Sequence, residues 1–257
     1  MLKKSLKDAL LRAGLYYKLN NYRFRDAEWG GRREAAQKSF YARLIESSDT
    51  VFDVGANVGQ RTQIFAQLAH KVIAVEPQKE CIRHLRSRFM FTKNVLIEAV
   101  ALGDHTGEAS IRESDSHTIS SMSERFIETV GKSRFRESSW EREAKVLMTT
   151  LDELIDKHGR AKFIKIDVEG YEAQVLSGLN YSVPYISFEF TPELIDEAEK
   201  CVARLHAISE AYLFNYCLGE NLNFVLEKHV TAKEMSDSIL PALSRQGNFG
   251  DVYAIHQ

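Results

Sequence analysis

Four carboxylates follow apolar segments of strand length, where they could bind a ligand or accept a proton. They are Asp53, Glu76, Asp167 and Glu189. In open parallel sheets, ligands bind outside the carboxyl ends of the strands. Burying an acid without a partner is costly, so repeated placement at strand ends indicates a ligand that is cationic or rich in hydroxyl groups. We therefore expect these four side chains at the ligand-binding rim of a parallel sheet.

The first two acids belong to a β-α-β unit with a glycine turn. The segment VFDVGANVG carries Asp53, Gly55, Asn57 and Gly59, and the next apolar run ends at Glu76. A carboxylate at that second position accepts hydrogen bonds from both hydroxyls of a ribose. The glycines allow the backbone to approach a ligand closely, and asparagine tolerates a positive φ better than most residues. The pattern predicts a nucleoside site.

The glycine spacing favours a methyl donor over a dinucleotide. Dinucleotide loops place three glycines as G-x-G-x-x-G, whereas Gly55 and Gly59 are separated by three residues. The charge of Asp53 would repel a pyrophosphate and attract the ammonium group of S-adenosylmethionine. An NAD-linked oxidoreductase is the alternative. A non-catalytic nucleoside-binding protein is another, although loss of the rim acids, its expected sign, is not seen.

Longer motifs resemble the FkbM-type family of S-adenosylmethionine-dependent methyltransferases. The most specific block reads IKIDVEGYE and is followed by VLSG. The resemblance covers about residues 50–190, and its blocks are 52–60, 75–77, 101–104, 150–154, 164–172 and 175–178. Residues 1–46, 114–145 and the C-terminal tail match no motif of the family.

The resemblance implies a fold and a set of cofactor contacts. The fold is α/β, the class I (Rossmann-like) methyltransferase fold, with a mostly parallel seven-stranded sheet, an antiparallel last strand and helices on both faces. O-methylation is the usual activity, on acceptors such as macrolides and sugars. The methionine and ribose contacts would be Asp53, Gly55, Ala56, Asn57, Gly59 and Glu76, and the adenine contacts Ala101, Leu102 and Asp104. Asp104 can also be explained as a turn residue.

Asp167 is the first candidate for the catalytic base, and Glu189 is the second. A hydroxyl group attacks a methyl carbon more readily when a base takes its proton as the bond forms. Lys165 lies two residues before Asp167, hence on the same face of the strand, and is expected to pair with a rim acid; we include it with the cofactor-binding residues. A structural ion pair is the alternative. The two acids would suit Mg²⁺, but no complete ligand set is evident and no metal is predicted.

The insert between residues 114 and 145 supplies further candidates. His117 has a side chain that titrates near neutral pH and is the third catalytic candidate; a solvated histidine is the alternative. Arg134 and Arg136, near Trp140, would suit a carboxylated or phosphorylated glycan. The alternative is a solvated helix. The insert is rich in Ser, Glu and Arg and poor in apolar runs, and we expect either a surface excursion or a lid.

The expected organisation is a helical extension over 1–46 and a methyltransferase domain over 47–257. We expect a break at Gly30-Gly31 and a helix over 33–46. Strands are expected near 50–54, 71–75, 94–100, 145–149, 162–167, 185–190, 212–217, 222–227 and 251–256. Helices are expected between them.

Composition restricts the partners. The net charge is -2, with 34 Lys and Arg against 36 Asp and Glu, so no overall field favours nucleic acid. Three dispersed cysteines indicate neither a zinc site nor a disulfide framework, and no apolar run reaches the ~20 residues of a membrane span. We expect a cytoplasmic enzyme of glycan or secondary-metabolite biosynthesis with a saccharide or small-molecule acceptor. The basic residues within 1–25 could touch a membrane surface, but packing on the core is favoured.

Overall fold

The computed structural model describes residues 28–114 and 119–257. The basic segment 1–25 and His117 therefore lie outside the described residues. Packing divides the chain into two compact units, with the boundary between Ala99 and Val100. The two units are described in turn.

The first unit is a β-α-β-α-β arrangement that follows one helix. Its elements are α1 (Glu28–Tyr41), β1 (Thr50–Val54), α2 (Gln60–Ala66), β2 (Lys71–Val75), α3 (Lys79–Phe89) and β3 (Val95–Glu98). β2 lies between β1 and β3 and is parallel to both, with Asp53 opposite Ala74. β1 and β2 are buried along almost their whole length, which explains why they read as continuous apolar runs rather than alternating ones.

Helix α3 packs against the glycine turn of the first unit. Gly59 has φ 83° and ψ 33°, in the left-handed region, and begins α2. A Cβ atom at Gly59 would lie 2.5 Å from Phe89 Cε2 and 2.8 Å from Leu85 Cδ2. The position therefore requires glycine for two reasons, the backbone angle and the contact with α3.

The second unit contains the longer part of the chain. Its strands are β4 (Ala101–Leu102), β5 (Gly107–Glu113), β6 (Arg142–Thr149), β7 (Phe163–Ile166), β8 (Tyr185–Phe190), β9 (Tyr212–Leu218) and β10 (Gly250–His256). Its α-helices are α4 (Glu124–Gly131), α5 (Leu151–His158), α6 (Glu172–Ser177), α7 (Ile195–Ile208), α8 (Ala232–Glu234) and α9 (Leu240–Gln246). A 3₁₀ turn spans Pro192–Leu194, and a π-helical turn at Met235–Ile239 joins α8 to α9.

The strand pairing has the predicted class I pattern. β7 and β8 are parallel, and β10 is antiparallel to both β8 and β9, between which it lies. The seven main strands follow the order β3-β2-β1-β7-β8-β10-β9. The predicted mostly parallel seven-stranded sheet with an antiparallel last strand is thus confirmed. β4, β6 and β5 form a separate three-stranded sheet.

Three local expectations need correction. α1 continues through Gly30-Gly31 and ends at Tyr41, because the chain then forms turns in which the amides of Leu44 and Ile45 both bond to Tyr41 O. Residues 222–227 are not a strand. The side chain of Asn215 instead bonds to both the amide and the carbonyl of Leu226, which holds this segment as a loop.

The 114–145 segment is less polar in its packing than its composition suggests. β6 begins at Arg142 and pairs with β5, so the insert occupies the connection of a hairpin. On α4, Phe126 and Val130 are each 1% exposed and pack with Leu194. The insert therefore packs on the 3₁₀ turn at Pro192–Leu194 through a small apolar cluster.

Cys81, Cys201 and Cys217 are all described, all buried, and none forms a disulfide. Within 28–114 and 119–257, none of the helices combines the length and the apolar character that a membrane span requires.

The contact at Gly59 gives a test with a matched control. Gly247, at φ 69° and ψ 24°, is also left-handed, but a Cβ there would have nothing within 4 Å. We expect Gly247→Ala to lower the free energy of unfolding by about 1 kcal/mol, the cost of the backbone angle alone. Gly59→Ala should cost roughly 1–3 kcal/mol more, because α3 must also move. Urea denaturation of both variants measures the difference, and equal losses would contradict the packing argument.

Candidate functional site

The turn after β1 is built from three residues with positive φ. Gly55 has φ 79°, Asn57 has φ 50° and Gly59 has φ 83°. The amides of Gly55 and Ala56 both donate to Val75 O at 3.0 Å, which fixes the turn to the end of β2. The expectation that asparagine replaces a glycine at a left-handed position is confirmed.

Glu76 lies against this turn as a buried hydrogen-bond acceptor. Glu76 is 2% exposed. Its Oε2 accepts a hydrogen bond from the Asn57 amide at 2.9 Å, and its Oε1 accepts one from the Gln78 amide at 2.8 Å. Burial raises the pKa of Glu76 from 4.5 to about 7, while the two amides partly oppose this shift. Each carboxylate oxygen has a second lone pair that can accept from a ligand hydroxyl.

Asp53 has a protein partner that the sequence did not reveal. It is 1% exposed, and the hydroxyl of Thr62 on α2 donates to Asp53 Oδ2 at 2.5 Å. Thr62 itself is fully buried. This contact joins β1 to α2 across the turn. An apolar residue would be expected at a buried helix position, so a threonine nine residues after a strand-end acid was the available indication.

The first unit thus offers a cradle that fits the ribose part of S-adenosylmethionine. Left-handed residues bring the backbone to the strand ends, and Gly59 leaves no room for a side chain beside α3. Glu76 presents a carboxylate at the turn. Of the predicted contacts, the structure brings Gly55, Ala56, Asn57, Gly59 and Glu76 together, and Asp53 lies in β1, two residues before the turn begins. Direct cofactor contacts remain predictions.

The predicted adenine residues lie in the second unit. Ala101 and Leu102 form β4 and are each 3% exposed. Asp104 is exposed, with Oδ1 lying 2.7 Å from His105 Nδ1. The turn role and the adenine role of Asp104 are both compatible with this position, so the adenine contacts also remain predictions.

Lys165 and Asp167 form the expected ion pair at the end of β7. The Lys165 ammonium is 2% exposed and donates to Asp167 Oδ2 at 2.7 Å, whereas the Asp167 side chain is 38% exposed. A buried ammonium needs a compensating charge. This pair supplies one, and the Asp167 side chain remains partly exposed. The cofactor role predicted for Lys165 is a separate matter and stays a prediction.

The turn that follows Asp167 is left-handed at two positions. Glu169 has φ 56° and Gly170 has φ 85°. Glu172, which is 3% exposed, accepts from the amides of Val168 at 3.0 Å and Gly170 at 3.3 Å, the two amides that flank Glu169. Non-glycine residues adopt positive φ at a cost, so the surrounding contacts must hold Glu169 in place.

The insert holds the same turn from the other side. Ser121 Oγ donates to Glu169 O at 2.6 Å. A Cβ at Gly170 would lie 2.8 Å from Phe126 Cβ, so the ring-bearing residue of α4 packs directly on this glycine. The contacts explain why glycine follows the acid in the DVEG motif, and they place the insert against the site.

Three carboxylates meet at this turn. Oxygen atoms of Asp167, Glu169 and Glu189 lie within 4.8 Å of one another. Burial raises the pKa of Glu169 and of Glu189 well above 4.5, and repulsion among the neighbouring acids adds to the effect. Glu169 and Glu189 therefore hold protons at pH values where an exposed carboxyl group is ionised. Oxygen clusters of this kind are also a donor set for hard cations.

A cavity of about 470 Å³ opens beside the carboxylates. Its lining is largely apolar, with the acids on one wall, and consists of Ile119, Phe126, Val130, Arg134, Phe135, Glu169, Glu189, Thr191, Gly247 and Phe249. Arg134 Nη2 lies 3.0 Å from Glu193 Oε2, and its guanidinium lies 5.2 Å from the centre of the Phe249 ring. The only cationic side chain in the lining is therefore already paired.

The catalytic candidates have different outcomes. The structure brings Asp167 and Glu189 together, but the role of each as a base is untested. His117 lies outside the described residues. Arg136 donates to Lys132 O on its own segment and does not line the cavity. Glu169 was not among the predicted site residues, because an acid directly before a glycine in this motif was interpreted in favour of a cap of the following helix.

The burial of Glu172 makes stability depend on pH. Burial raises its pKa from 4.5 to about 7, so the folded state favours the protonated carboxyl. Its contribution is complete below pH 4.5, declines as pH rises and is lost above about 7. The upper limit is about 3 kcal/mol. Glu172→Gln keeps an acceptor for both amides, so the parent should lose stability relative to this variant across that range.

The measurement is urea denaturation of both proteins below pH 4.5 and above pH 7. Glu153 provides a control of opposite sign, because hydrogen bonds from Thr149 and Thr106 lower its pKa. The parent should gain stability relative to Glu153→Gln as pH rises. A pH-independent difference between the parent and Glu172→Gln would exclude the proposed protonation.

Comparison with known proteins agrees with the geometry. A family model described as the methyltransferase FkbM domain matches residues 53–226, more than half of the chain. The match includes both turns and the three clustered carboxylates. The comparison with curated proteins found no match.

Solved structures with similar folds include several methyltransferases. Precorrin-6y C5,15-methyltransferase from Geobacter metallireducens is 11% identical, with a TM-score of 0.46 over 86% of this chain and 87% of that one. An rRNA methylase from Streptococcus thermophilus is 12% identical, with a TM-score of 0.41 over 85% and 93%. SMU.1697c from Streptococcus mutans, a putative methyltransferase in complex with SAH, is 12% identical, with a TM-score of 0.42 over 86% and 95%.

Proposed function

The chain belongs to the FkbM methyltransferase family, and we propose that it methylates a hydroxyl group of a saccharide or another small molecule. S-adenosylmethionine is the methyl donor. The observation that carries the choice of acceptor is the cavity of about 470 Å³ with Glu169 and Glu189 in its wall. Its volume suits a ligand of the size of one or two sugar rings.

The first unit would hold the donor. Gly55, Asn57 and Gly59 let the backbone approach it, and the Glu76 carboxylate would accept hydrogen bonds from the ribose hydroxyls. Asp53 would add negative charge near the amino-acid part. When bound, S-adenosylmethionine supplies a methyl carbon that is activated toward nucleophiles by the positive charge on sulfur.

The second unit would bind and activate the acceptor. Asp167, paired with Lys165 through Oδ2, has its other oxygen available to take the hydroxyl proton. Glu189 is more buried and would donate or accept a hydrogen bond to the acceptor, depending on its protonation. Asp167 would therefore remove the proton, and Glu189 would orient the acceptor.

The charges in the lining favour a neutral or cationic acceptor over a polyanion. Nucleic-acid binding depends on unpaired lysine and arginine side chains that contact phosphates. Arg134 is the only cationic residue in the lining, and Glu193 neutralises it. Glu169 and Glu189 offer no positive charge to a phosphodiester, whether they are protonated or ionised. This arrangement supports a small molecule in glycan or secondary-metabolite biosynthesis, and the buried cysteines suit a reducing cytoplasm.

Cofactor binding can be tested with S-adenosylhomocysteine. Loss of a charged hydrogen-bond acceptor costs about 1.5–3 kcal/mol, so Glu76→Ala should bind this product roughly tenfold to a hundredfold more weakly in isothermal titration calorimetry. Glu76→Gln keeps one acceptor oxygen for the two amides of the turn. It should therefore also bind S-adenosylhomocysteine more weakly, with a smaller loss of stability than Glu76→Ala. Glu80→Ala, at an exposed acid of the same unit, is the control. Parent affinity in Glu76→Ala would remove Glu76 from the site.

The proposed base can be tested once an acceptor is found by screening saccharides and small hydroxyl compounds for the mass gain of one methyl group. Asp167→Asn should bind S-adenosylhomocysteine as the parent does, while kcat falls roughly 10²–10⁴-fold. Asp156→Asn, at an exposed acid of α5, should retain full activity. Full turnover by Asp167→Asn would exclude the assigned role.

A further inference from the structure

Helix α3 of the first unit has two faces of contrasting character. Cys81, Leu85 and Phe89 are buried, at 0%, 0% and 7% exposure. Lys79, Arg83 and Arg86, at intervals of four and three residues, are exposed on the other face. The one acid among them, Glu80, lies 3.7 Å from Arg83 at an exposed position, where such a pair is weak. The outer face is therefore cationic.

The segment after α3 exposes apolar side chains beside this cationic face. Met90 is 48% exposed, Phe91 70% and Leu96 41%, and Lys93 between them is exposed too. Isolated exposed apolar residues are common in soluble proteins. Three of the six large apolar side chains that are most exposed in the described chain fall within residues 90–96, so this short segment carries half of them.

We propose that α3 and residues 90–96 form a docking surface for an anionic lipid bilayer. Cationic side chains next to exposed Phe, Met and Leu are the combination that binds membrane interfaces, with the cations at the headgroups and the apolar groups at the acyl boundary. A single-stranded nucleic acid would instead require several aromatic side chains on which bases stack. Only Phe91 among the three could serve in that way. The proposal is independent of the acceptor.

The inner face of α3 connects this surface to the cofactor turn. Leu85 and Phe89 contact the position of Gly59, and Cys81 Sγ lies 3.5 Å from Asn57 Oδ1. The cofactor turn thus contacts the inner face of α3, and the docking surface includes the outer face of the same helix. Membrane contact through the outer face would leave the turn unobstructed, so the protein could bind lipid and cofactor together.

The test is co-sedimentation of the full chain with vesicles. The protein should bind phosphatidylcholine vesicles that contain phosphatidylserine at least tenfold more tightly than vesicles of phosphatidylcholine alone, and high salt should weaken binding. The double variant Arg83→Glu/Arg86→Glu should bind at least tenfold more weakly. Met90→Ser/Phe91→Ser should also lose affinity for the anionic vesicles, because the apolar contribution is removed.

Controls distinguish a specific surface from general adsorption. Leu147→Ser replaces a side chain that is 62% exposed in the second unit, opposite Glu108, and should bind vesicles as the parent does. All variants should keep the parent's thermal shift with S-adenosylhomocysteine, which verifies folding.

Four results would overturn the proposal, and three of them concern binding to vesicles or RNA. These are equal binding to neutral and anionic vesicles, parent affinity in both double variants, and binding to single-stranded RNA that is lost in the same variants while vesicle binding is absent. Concentration-dependent dimerisation abolished by Met90→Ser/Phe91→Ser, with no vesicle binding, would assign the surface to a second copy instead.

Discussion

A buried carboxylate that accepts two backbone amides holds each of the two turns on which the candidate site depends. Glu76 accepts from Asn57 and Gln78, and Glu172 accepts from Val168 and Gly170. Each turn contains left-handed residues, which the chain would not adopt without such support. Burial raises the pKa of both acids to about 7, so the same two groups that shape the turns are sensitive to protonation near neutral pH.

The two acids nevertheless differ in whether they could bind a ligand themselves. Glu76 follows a strand directly and faces a turn built for close approach, which suits a ribose. Glu172 begins a helix and serves the turn itself, thereby directing Glu169 toward the cavity. The resulting carboxylate cluster is electrostatically unfavourable in isolation, as the raised pKa values of Glu169 and Glu189 show. Placement of unfavourable charges at a cavity is typical of sites whose partner is a ligand.

The sequence predicted the elements whose pattern is local. The strands at β1, β2, β7 and β8 and the left-handed asparagine followed from apolar runs and turn chemistry, and the Lys165–Asp167 pair followed from strand alternation. The family resemblance added the arrangement of the strands as a mostly parallel seven-stranded sheet with an antiparallel last strand. The failed expectations depended on distant contacts. A turn-rich loop replaced the strand at 222–227 because Asn215 bonds to it. No local pattern indicates the packing of Phe126 on Gly170.

The three buried thiols have a consequence for studying motion in this protein. Cys81 lies in the first unit beneath the cofactor turn, and Cys201 and Cys217 lie in the second, on α7 and β9. A thiol reagent cannot reach any of them without local opening, so the rate of labelling at each site reports how often its surroundings loosen. The native chain thus contains internal probes by which the opening of each unit can be followed separately, with no engineered label.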